Sequence, residues 1–128
     1  MIERLSSDGP WEDEFGYSRA VLAGDLALVA GCTATVEGKV VHPGDPYEQT
    51  RTAFQIALWS LERLGLTRND VVRTRMYITR AGDSAEVGRA HGSLFQHVRP
   101  AATMVVVAGL IDPRMLVEVE VEAYRRTS

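Results

Sequence analysis

The stretch that most constrains the fold of this chain is VEVEVE at positions 117–122, where valine and glutamate alternate strictly. A period of two is typical of a β-strand, and it places the valines on one face and the glutamates on the other. Successive carboxylates on one face lie ~7 Å apart along a strand. Their repulsion is roughly 0.6 kcal/mol per pair in water. The valine face therefore needs an apolar partner, and the glutamate face needs solvent or cations.

A second stretch has the same alternation with the opposite charge. In DVVRTRMYIT, positions 70–79, the even positions from Val72 onwards form one face, whereas Arg73, Arg75 and Tyr77 form the other. We expect both strands in one sheet, with the apolar face against helices and the Arg/Glu face against another subunit or a ligand. A solvated outer face is the alternative, since antiparallel sheets commonly leave one side wet.

The bulk properties limit the class of protein. At 128 residues the chain is expected to form one domain, 1–128. A net charge of −3 argues against a nucleic-acid-binding surface. No segment approaches the ~20 apolar residues of a membrane helix, and the start MIERLSSD does not resemble a signal peptide. The single cysteine, Cys32, fits a reducing compartment. We therefore expect a cytoplasmic protein without nucleic-acid or membrane partners.

The N-terminal third predicts short strands and turns. Residues 2–5 are expected to form an edge strand, and Pro10 to begin a single helical turn. The apolar runs 17–23 and 26–31 flank Gly24-Asp25, which suits a tight hairpin turn. Residues 33–43 follow as an irregular loop with a weak hairpin at Glu37-Gly38.

Two helices are expected further along. The first spans 45–65, with Asp45 as its N-cap and Glu48 in the capping-box position. The second spans 84–97, with Asp83 as its cap and Glu86 as capping-box partner. Two glycines four residues apart in this helix, at 88 and 92, suggest close backbone packing. Strands at 102–108 and 116–125 complete the order β-β-β-α-β-α-β-β, which predicts an α+β domain with two helices on one face of a mixed sheet.

The residues alone point to few chemical sites. The three histidines lack metal-ligand spacing and are expected at the surface or at helix caps, so neither a metal nor a cofactor is predicted. Cys32 follows a strand end, where pockets often lie, although an inert half-buried cysteine is the favoured interpretation. Tyr17 follows Gly16, and packing is the favoured role for it. These patterns alone indicate an α+β domain with an unusual Arg/Glu face.

Several further motifs follow one another along nearly the whole chain. They are Gly16-Tyr17-Ser18, Ala30-Gly31, Asp45-Pro46-Tyr47-Glu48-Gln49-Thr50, Asp70-Val71-Val72, Phe95, Pro100 and Val117-Glu118-Val119-Glu120. In this order they resemble the RidA/YjgF family, also called endoribonuclease L-PSP. The resemblance implies a chorismate-mutase-like fold and a homotrimer, in which three sheets form a central β-barrel and small-molecule clefts lie at the subunit interfaces.

The same resemblance implies an activity and a site. The family hydrolyses reactive imines and enamines, such as 2-iminobutanoate and 2-iminopropanoate, to a keto acid and ammonia. The family's tyrosine matches Tyr17, its backbone groups match Ala30-Gly31 with Cys32 adjacent, and its water-holding glutamate matches Glu118. Glu120 is the register-shifted alternative.

Three positions depart from the family pattern. The motif Pro-x-Arg, whose arginine binds the substrate carboxylate, reads Pro100-Ala101-Ala102 here. The family's cysteine two residues further on is Met104, and an asparagine on the second helix is Gly88. Losing a bidentate carboxylate clamp weakens the expectation of a 2-imino acid substrate.

A cation from elsewhere in the trimer is one replacement for the missing arginine. The candidates are Arg73, Arg75, Arg99 and Arg114, although pairing with the glutamate row is the favoured role of Arg73 and Arg75. Two functions remain open: an imine or enamine deaminase with altered substrate choice, and a non-catalytic trimer that uses the same clefts for a metabolite or a protein partner. Ribonuclease activity is a distant third because the chain is acidic.

Overall fold

A computed structural model of the chain describes residues 1–126, which form eight strands and three α-helices. The elements in chain order are β1 (Ile2–Leu5), α1 (Pro10–Phe15), β2 (Ala20–Ala23), β3 (Leu26–Cys32), β4 (Thr35–Val36), β5 (Lys39–Val40), α2 (Pro46–Arg63), β6 (Val71–Ile78), α3 (Ser84–Phe95), β7 (Ala101–Val106) and β8 (Val117–Tyr124). Short 3-10 turns at Arg68–Asp70 and Ala81–Asp83 precede β6 and α3.

Six strands form one mixed sheet in the order β1-β2-β3-β8-β6-β7. Every neighbouring pair is antiparallel except β6 and β7, which α3 connects as a parallel pair. Strands β4 and β5 form a separate hairpin, as expected around Glu37-Gly38. The predicted α+β class, the mixed sheet and the two helices on one face are confirmed.

The core lies between this sheet and the two long helices. Phe54 and Leu61 of α2 and Val87 of α3 are fully buried against the valine face of β8. Asp45 is the N-cap of α2, as predicted, because its side chain accepts a hydrogen bond from the Glu48 backbone N–H at 3.1 Å. The predicted capping box is incomplete, since the Asp45 N–H donates to the His42 carbonyl and not to the Glu48 carboxylate. The opposite face of the sheet, which carries the glutamate row, is thereby left outside the core.

The two alternating strands are neighbours, as the sequence predicted. In the β6–β8 register Arg73 lies opposite Glu122, Arg75 opposite Glu120 and Tyr77 opposite Glu118. These side chains are all partly exposed, so the described residues neither bury this face nor leave it fully open to solvent. One detail of the pattern was wrong: a bulge after Val71 shifts the register, and Val72 is 49% exposed instead of facing the core.

The predicted capping box of the second helix was also wrong. The Asp83 side chain makes no capping hydrogen bond, and Glu86 pairs with Arg89 instead, at 3.0 and 3.1 Å. Asp83 ends a 3-10 turn with φ −86° and ψ −4°. A side-chain cap requires extended backbone at this position, so the carboxylate cannot reach the first turn.

The two glycines of α3 do not mark close backbone packing either. A Cβ on Gly88 would meet only the Met104 Cε, at 4.0 Å, and one on Gly92 would meet only the Gln96 side chain. Gly88 instead leaves open space over the side chain of Met104.

Candidate functional site

A bulge in β3 creates the most unusual local geometry of the sheet. Val29 pairs with Val121 and Cys32 with Val119, so that Ala30 and Gly31 together face one residue of β8. A bulge of this kind bends the strand and redirects side chains. Here it brings the backbone of Gly31 against a side chain of β8.

That side chain is Glu118. A Cβ built on Gly31 would overlap the Glu118 Oε2 atom and lie 3.0 Å from its Cδ, so a larger residue at position 31 would displace this carboxylate. Burial raises the pKa of Glu118 and the charge of Glu120 raises it further, whereas Arg19 opposes the shift. A raised pKa moves a carboxylate towards the range in which an acid/base group works best.

Arg19 is a functional candidate that the sequence interpretation missed. Its Nη1 donates a hydrogen bond to the Gly31 carbonyl at 3.0 Å and lies 3.5 Å from the Cys32 Sγ. Its Cζ lies 5.8 Å from the centre of the Tyr17 ring. The only signal in the sequence was its place two residues after Tyr17, since nothing in the periodicity shows that it reaches across to β3.

Tyr17 is positioned by the end of α1. Gly16 ends that helix in the left-handed conformation, with φ 76°, and the Tyr17 N–H donates to the Glu12 carbonyl at 3.0 Å. Tyr17 therefore precedes β2 instead of beginning it, and its side chain is 41% exposed. An open depression of about 510 Å³ lies beside it, lined in part by Arg4, Asp13 and Val21.

Cys32 borders the same cluster but is chemically quiet. The residue is 1% exposed, and burial raises the pKa of its thiol to about 11. Such a thiol remains protonated at neutral pH, which favours an inert cysteine over a nucleophile. We name the group Tyr17, Arg19, Gly31, Cys32 and Glu118 the bulge cluster.

The comparisons with known proteins assign the chain to a family. The family model described as Endoribonuclease L-PSP matches residues 11–125. The chain belongs to this family. An uncharacterised protein of Streptomyces coelicolor is 49% identical over 124 residues, covering 97% of this chain and 92% of that protein. A RutC family protein of Pyrococcus horikoshii is 31% identical over 111 residues, covering 85% and 86%.

A solved structure supports the same assignment. The crystal structure of a YjgF/YER057c/UK114 family member from Mycobacterium tuberculosis has a TM-score of 0.89 and 40% identity, covering 98% of this chain and 100% of that one. The family predicted from the motifs of the sequence is thereby confirmed.

Within this L-PSP family chain, two predicted site residues lie apart from the bulge cluster. Ala102 and Met104 pair with Thr74 and Met76 of β6, which places them on the helix-facing side of the sheet. Glu118 is on the other side, opposite Tyr77. One copy of the chain therefore does not bring Ala102 and Glu118 into a single pocket.

The remaining predicted residues form a row of paired charges on the outer sheet face. Arg75 Nη1 lies 2.7 Å from a Glu122 carboxylate oxygen, and Arg73 Nε lies 4.0 Å from the same oxygen. The Tyr77 hydroxyl donates to Glu120 at 2.5 Å, and this hydrogen bond raises the pKa of Tyr77. These contacts agree with the role favoured for Arg73 and Arg75, which is pairing with the glutamate row.

The other two candidate cations are also engaged. Arg114 forms an ion pair with Asp112 at 2.7 Å, and its hydrogen bonds lower the pKa of Asp112 to about 2. Arg99 donates from Nε to the Gln96 carbonyl at 3.2 Å.

His91 differs from the expectation of surface or capping histidines. It is half-buried, its Nε2 lies 2.8 Å from the Thr74 Oγ1, and its ring packs against Phe54 and Phe95. Burial lowers its pKa, which favours the neutral ring. In residues 1–126 no group of three or more acidic, histidine or cysteine side chains is placed to hold a metal ion. Over the same range, no helix has both the length and the apolar character to cross a bilayer.

Proposed function

We propose that this chain hydrolyses reactive imines or enamines to a carbonyl compound and ammonia, with the bulge cluster as one wall of the active site. The observation that carries the proposal is Glu118, a half-buried carboxylate with a raised pKa that is seated on Gly31. Family membership supports the reaction class, and the cluster supplies the residue types that the reaction requires.

The chemistry assigns a role to each group. Glu118 takes a proton from water as the oxygen adds to the imine carbon, and then passes this proton to the nitrogen. Glu118 next takes the proton of the new hydroxyl group and transfers it to the nitrogen as the C–N bond breaks, so that the carbonyl forms and ammonia leaves. An acid/base group works best when its pKa lies near the working pH, which the burial of Glu118 favours. Tyr17 and the backbone at Ala30-Gly31 orient the ligand.

We propose further that the cleft lies between copies in a homotrimer with a central β-barrel. Ala102 and Met104 lie on the other side of the sheet from Glu118, so a neighbouring copy must supply the second wall. In β7, an edge strand, every residue except Met104 is exposed, and an apolar edge of this kind invites a partner. A ring of three identical heterologous contacts is a closed assembly.

The lone Cys32 supports a cytoplasmic location.

The test is ammonia release from imines generated in place by an amino-acid oxidase. We expect wild type and Glu62→Gln, a matched change on the exposed face of α2, to accelerate release above the uncatalysed rate. Glu118→Gln should lose most of this activity, by about 10²-fold or more. If Glu118→Gln equals wild type while Glu120→Gln is inactive, the register-shifted glutamate is the acid/base group instead.

A non-catalytic cleft protein is the second candidate, favoured by the alanine at position 102. It binds a metabolite or a protein partner in the same intersubunit clefts. Ala102→Arg separates the two candidates. If wild type releases no ammonia and Ala102→Arg gains activity, the cleft has the family's architecture but the native role is not imine hydrolysis.

A further inference from the structure

Arg19 carries a charge that no acidic side chain neutralises by contact. Its two hydrogen-bond partners, the Gly31 carbonyl and the Cys32 Sγ, are neutral. Within residues 1–126, no ion pair of 4.0 Å or shorter involves its guanidinium. Its Nε is buried and makes no hydrogen bond there. Glu118 and Glu12 act on its charge without direct contact. A partly buried cation without a contacting counter-charge is costly, so an anion that contacts it would be stabilised.

The four arginines considered from the sequence differ from Arg19, since three are ion-paired and the fourth is exposed. Arg73 and Arg75 share Glu122, and Arg114 is held by Asp112. Arg99 donates to a backbone carbonyl and is exposed. Recruiting one of the three paired arginines for a ligand would break an existing ion pair, whereas recruiting Arg19 would not.

The geometry also leaves one nitrogen of the guanidinium available. Nη1 is anchored on the Gly31 carbonyl and Nε is buried, whereas Nη2 makes no hydrogen bond within residues 1–126. The N–H donors of Nη2 can bind a carboxylate through a charge-assisted hydrogen bond. The Tyr17 ring lies against the guanidinium and limits its movement. Fixing the cation in advance reduces the entropy lost on binding.

We propose that Arg19 is the specificity residue that recognises a carboxylate of the ligand, in place of the arginine that is absent at position 102. This inference rests on the proposed cleft and names the charge of its ligand. A carboxylate held by Arg19 lies on the same wall as Glu118, so the adjacent carbon of a small acid is directed towards the acid/base group. Arg19 is also the residue through which the cleft distinguishes acids from neutral analogues.

The test compares binding of an acid and its neutral analogue, without requiring turnover. Titration calorimetry with 2-oxobutanoate and with methyl 2-oxobutanoate is performed on wild type, Arg19→Gln and Arg63→Gln. Arg63 is an exposed arginine that lies over Trp59, which makes it a matched control. We expect wild type and Arg63→Gln to prefer the acid by at least about tenfold, as a charge-assisted hydrogen bond provides.

The Arg19→Gln protein, which loses the charge but keeps a polar side chain, should bind the acid and the ester equally. Arg19→Lys, which keeps the charge but loses the fork, should retain part of the preference. The proposal is overturned if wild type shows no preference for the acid, or if Arg19→Gln keeps the preference and only its thermal stability or pH profile changes. The latter result would assign Arg19 to bracing the bulge or tuning Glu118.

The two measurements test the Arg19 inference and the hydrolase proposal separately. An Arg19-dependent acid preference without ammonia release supports this inference and removes the hydrolase proposal. Ammonia release together with an acid preference that is unchanged in Arg19→Gln supports the hydrolase proposal and removes this inference.

Discussion

Glu118 occupies a position that is costly for an ionised carboxylate. It is half-buried on Gly31, and burial and Glu120 both raise its pKa above the ordinary value of 4.5, with Arg19 opposing them. Groups held in this way often serve function at the expense of stability. The contributions of Glu118 to stability and to activity can be measured separately.

Glu118→Gln should stabilise the fold in a pH-dependent manner. Because the folded pKa lies above the unfolded value, the folded protein binds the proton more tightly, and the free energy of unfolding falls as pH rises through this interval. Glutamine does not ionise, so the variant does not lose stability as pH rises. We expect Glu118→Gln to have a higher Tm than wild type at about pH 8. The two proteins should have the same Tm well below pH 4.5, where Glu118 is protonated in both the folded and the unfolded chain.

Thermal melts of the two proteins across this pH range provide the measurement. Glu62→Gln is the control and should follow wild type throughout. A Tm of Glu118→Gln that stays below wild type at about pH 8 would show that the ionised carboxylate is stabilising, against the assigned effect of burial.

Gly31→Ala should displace the Glu118 carboxylate. The added Cβ would overlap Oε2, although the backbone of Gly31 lies outside the left-handed region and accepts alanine without strain. We expect ammonia release to fall by about 10²-fold, since small misplacements of a reacting group have large effects. Gly82→Ala, where a Cβ meets nothing within 4 Å, should retain wild-type activity. If Gly31→Ala and Gly82→Ala were equally active, activity would not depend on the position of Glu118 over Gly31, and the role assigned to Glu118 would be wrong.

The bulge cluster was only partly predictable at this scale. Motif resemblance singled out Tyr17, Gly31 and Glu118, but it gave no reason to consider Arg19. The contact from Arg19 to the Gly31 carbonyl depends on the bulge in β3, and one irregular residue in a strand leaves no periodic signature.

At the scale of elements, Gln49 fastens α2 to the segment that leads into β8. Its amide nitrogen donates to the Arg114 carbonyl at 3.0 Å and the His42 carbonyl at 3.3 Å, and its carbonyl accepts from the Leu116 N–H at 2.9 Å. The side chain is fully buried. One residue of the helix therefore satisfies backbone groups of two separate loops.

Gln49→Leu should destabilise the fold substantially. The change keeps the volume but leaves the Leu116 N–H and two carbonyls without their partner, at an expected cost of about 2–4 kcal/mol. Gln55→Leu, on the exposed side of the same helix, should change stability by less than about 0.5 kcal/mol. Urea denaturation of both variants measures the difference. Similar midpoints for the two would contradict the assigned role of Gln49.

The elements themselves were largely predictable, because period-two and helical patterns were long and were bounded by Gly24-Asp25 and Asp45-Pro46. The failures occurred where local backbone overrides the pattern. Asp83 was expected to cap α3, yet a 3-10 turn holds it in helical conformation, and a bulge after Val71 turned Val72 outward. The residue types at these two positions are the same as those of a regular helix cap and a regular strand, so the sequence does not distinguish them.

At the scale of the whole molecule, the proposed cleft depends on what covers the outer sheet face. The Arg/Glu row is partly exposed in a single copy, and β7 presents an apolar edge beside it. Arg73 and Arg75 both pair with Glu122, so another surface can approach this end of the row with less desolvation of unpaired charge.

The molar mass of the protein in dilute solution tests the central claim most directly, because the shared cleft requires more than one copy. Light scattering coupled to size exclusion should give three times the mass of the chain, unchanged over about a tenfold dilution in the micromolar range. A mass equal to that of one chain would contradict the account, since both the intersubunit cleft and the second wall opposite Glu118 would then be absent.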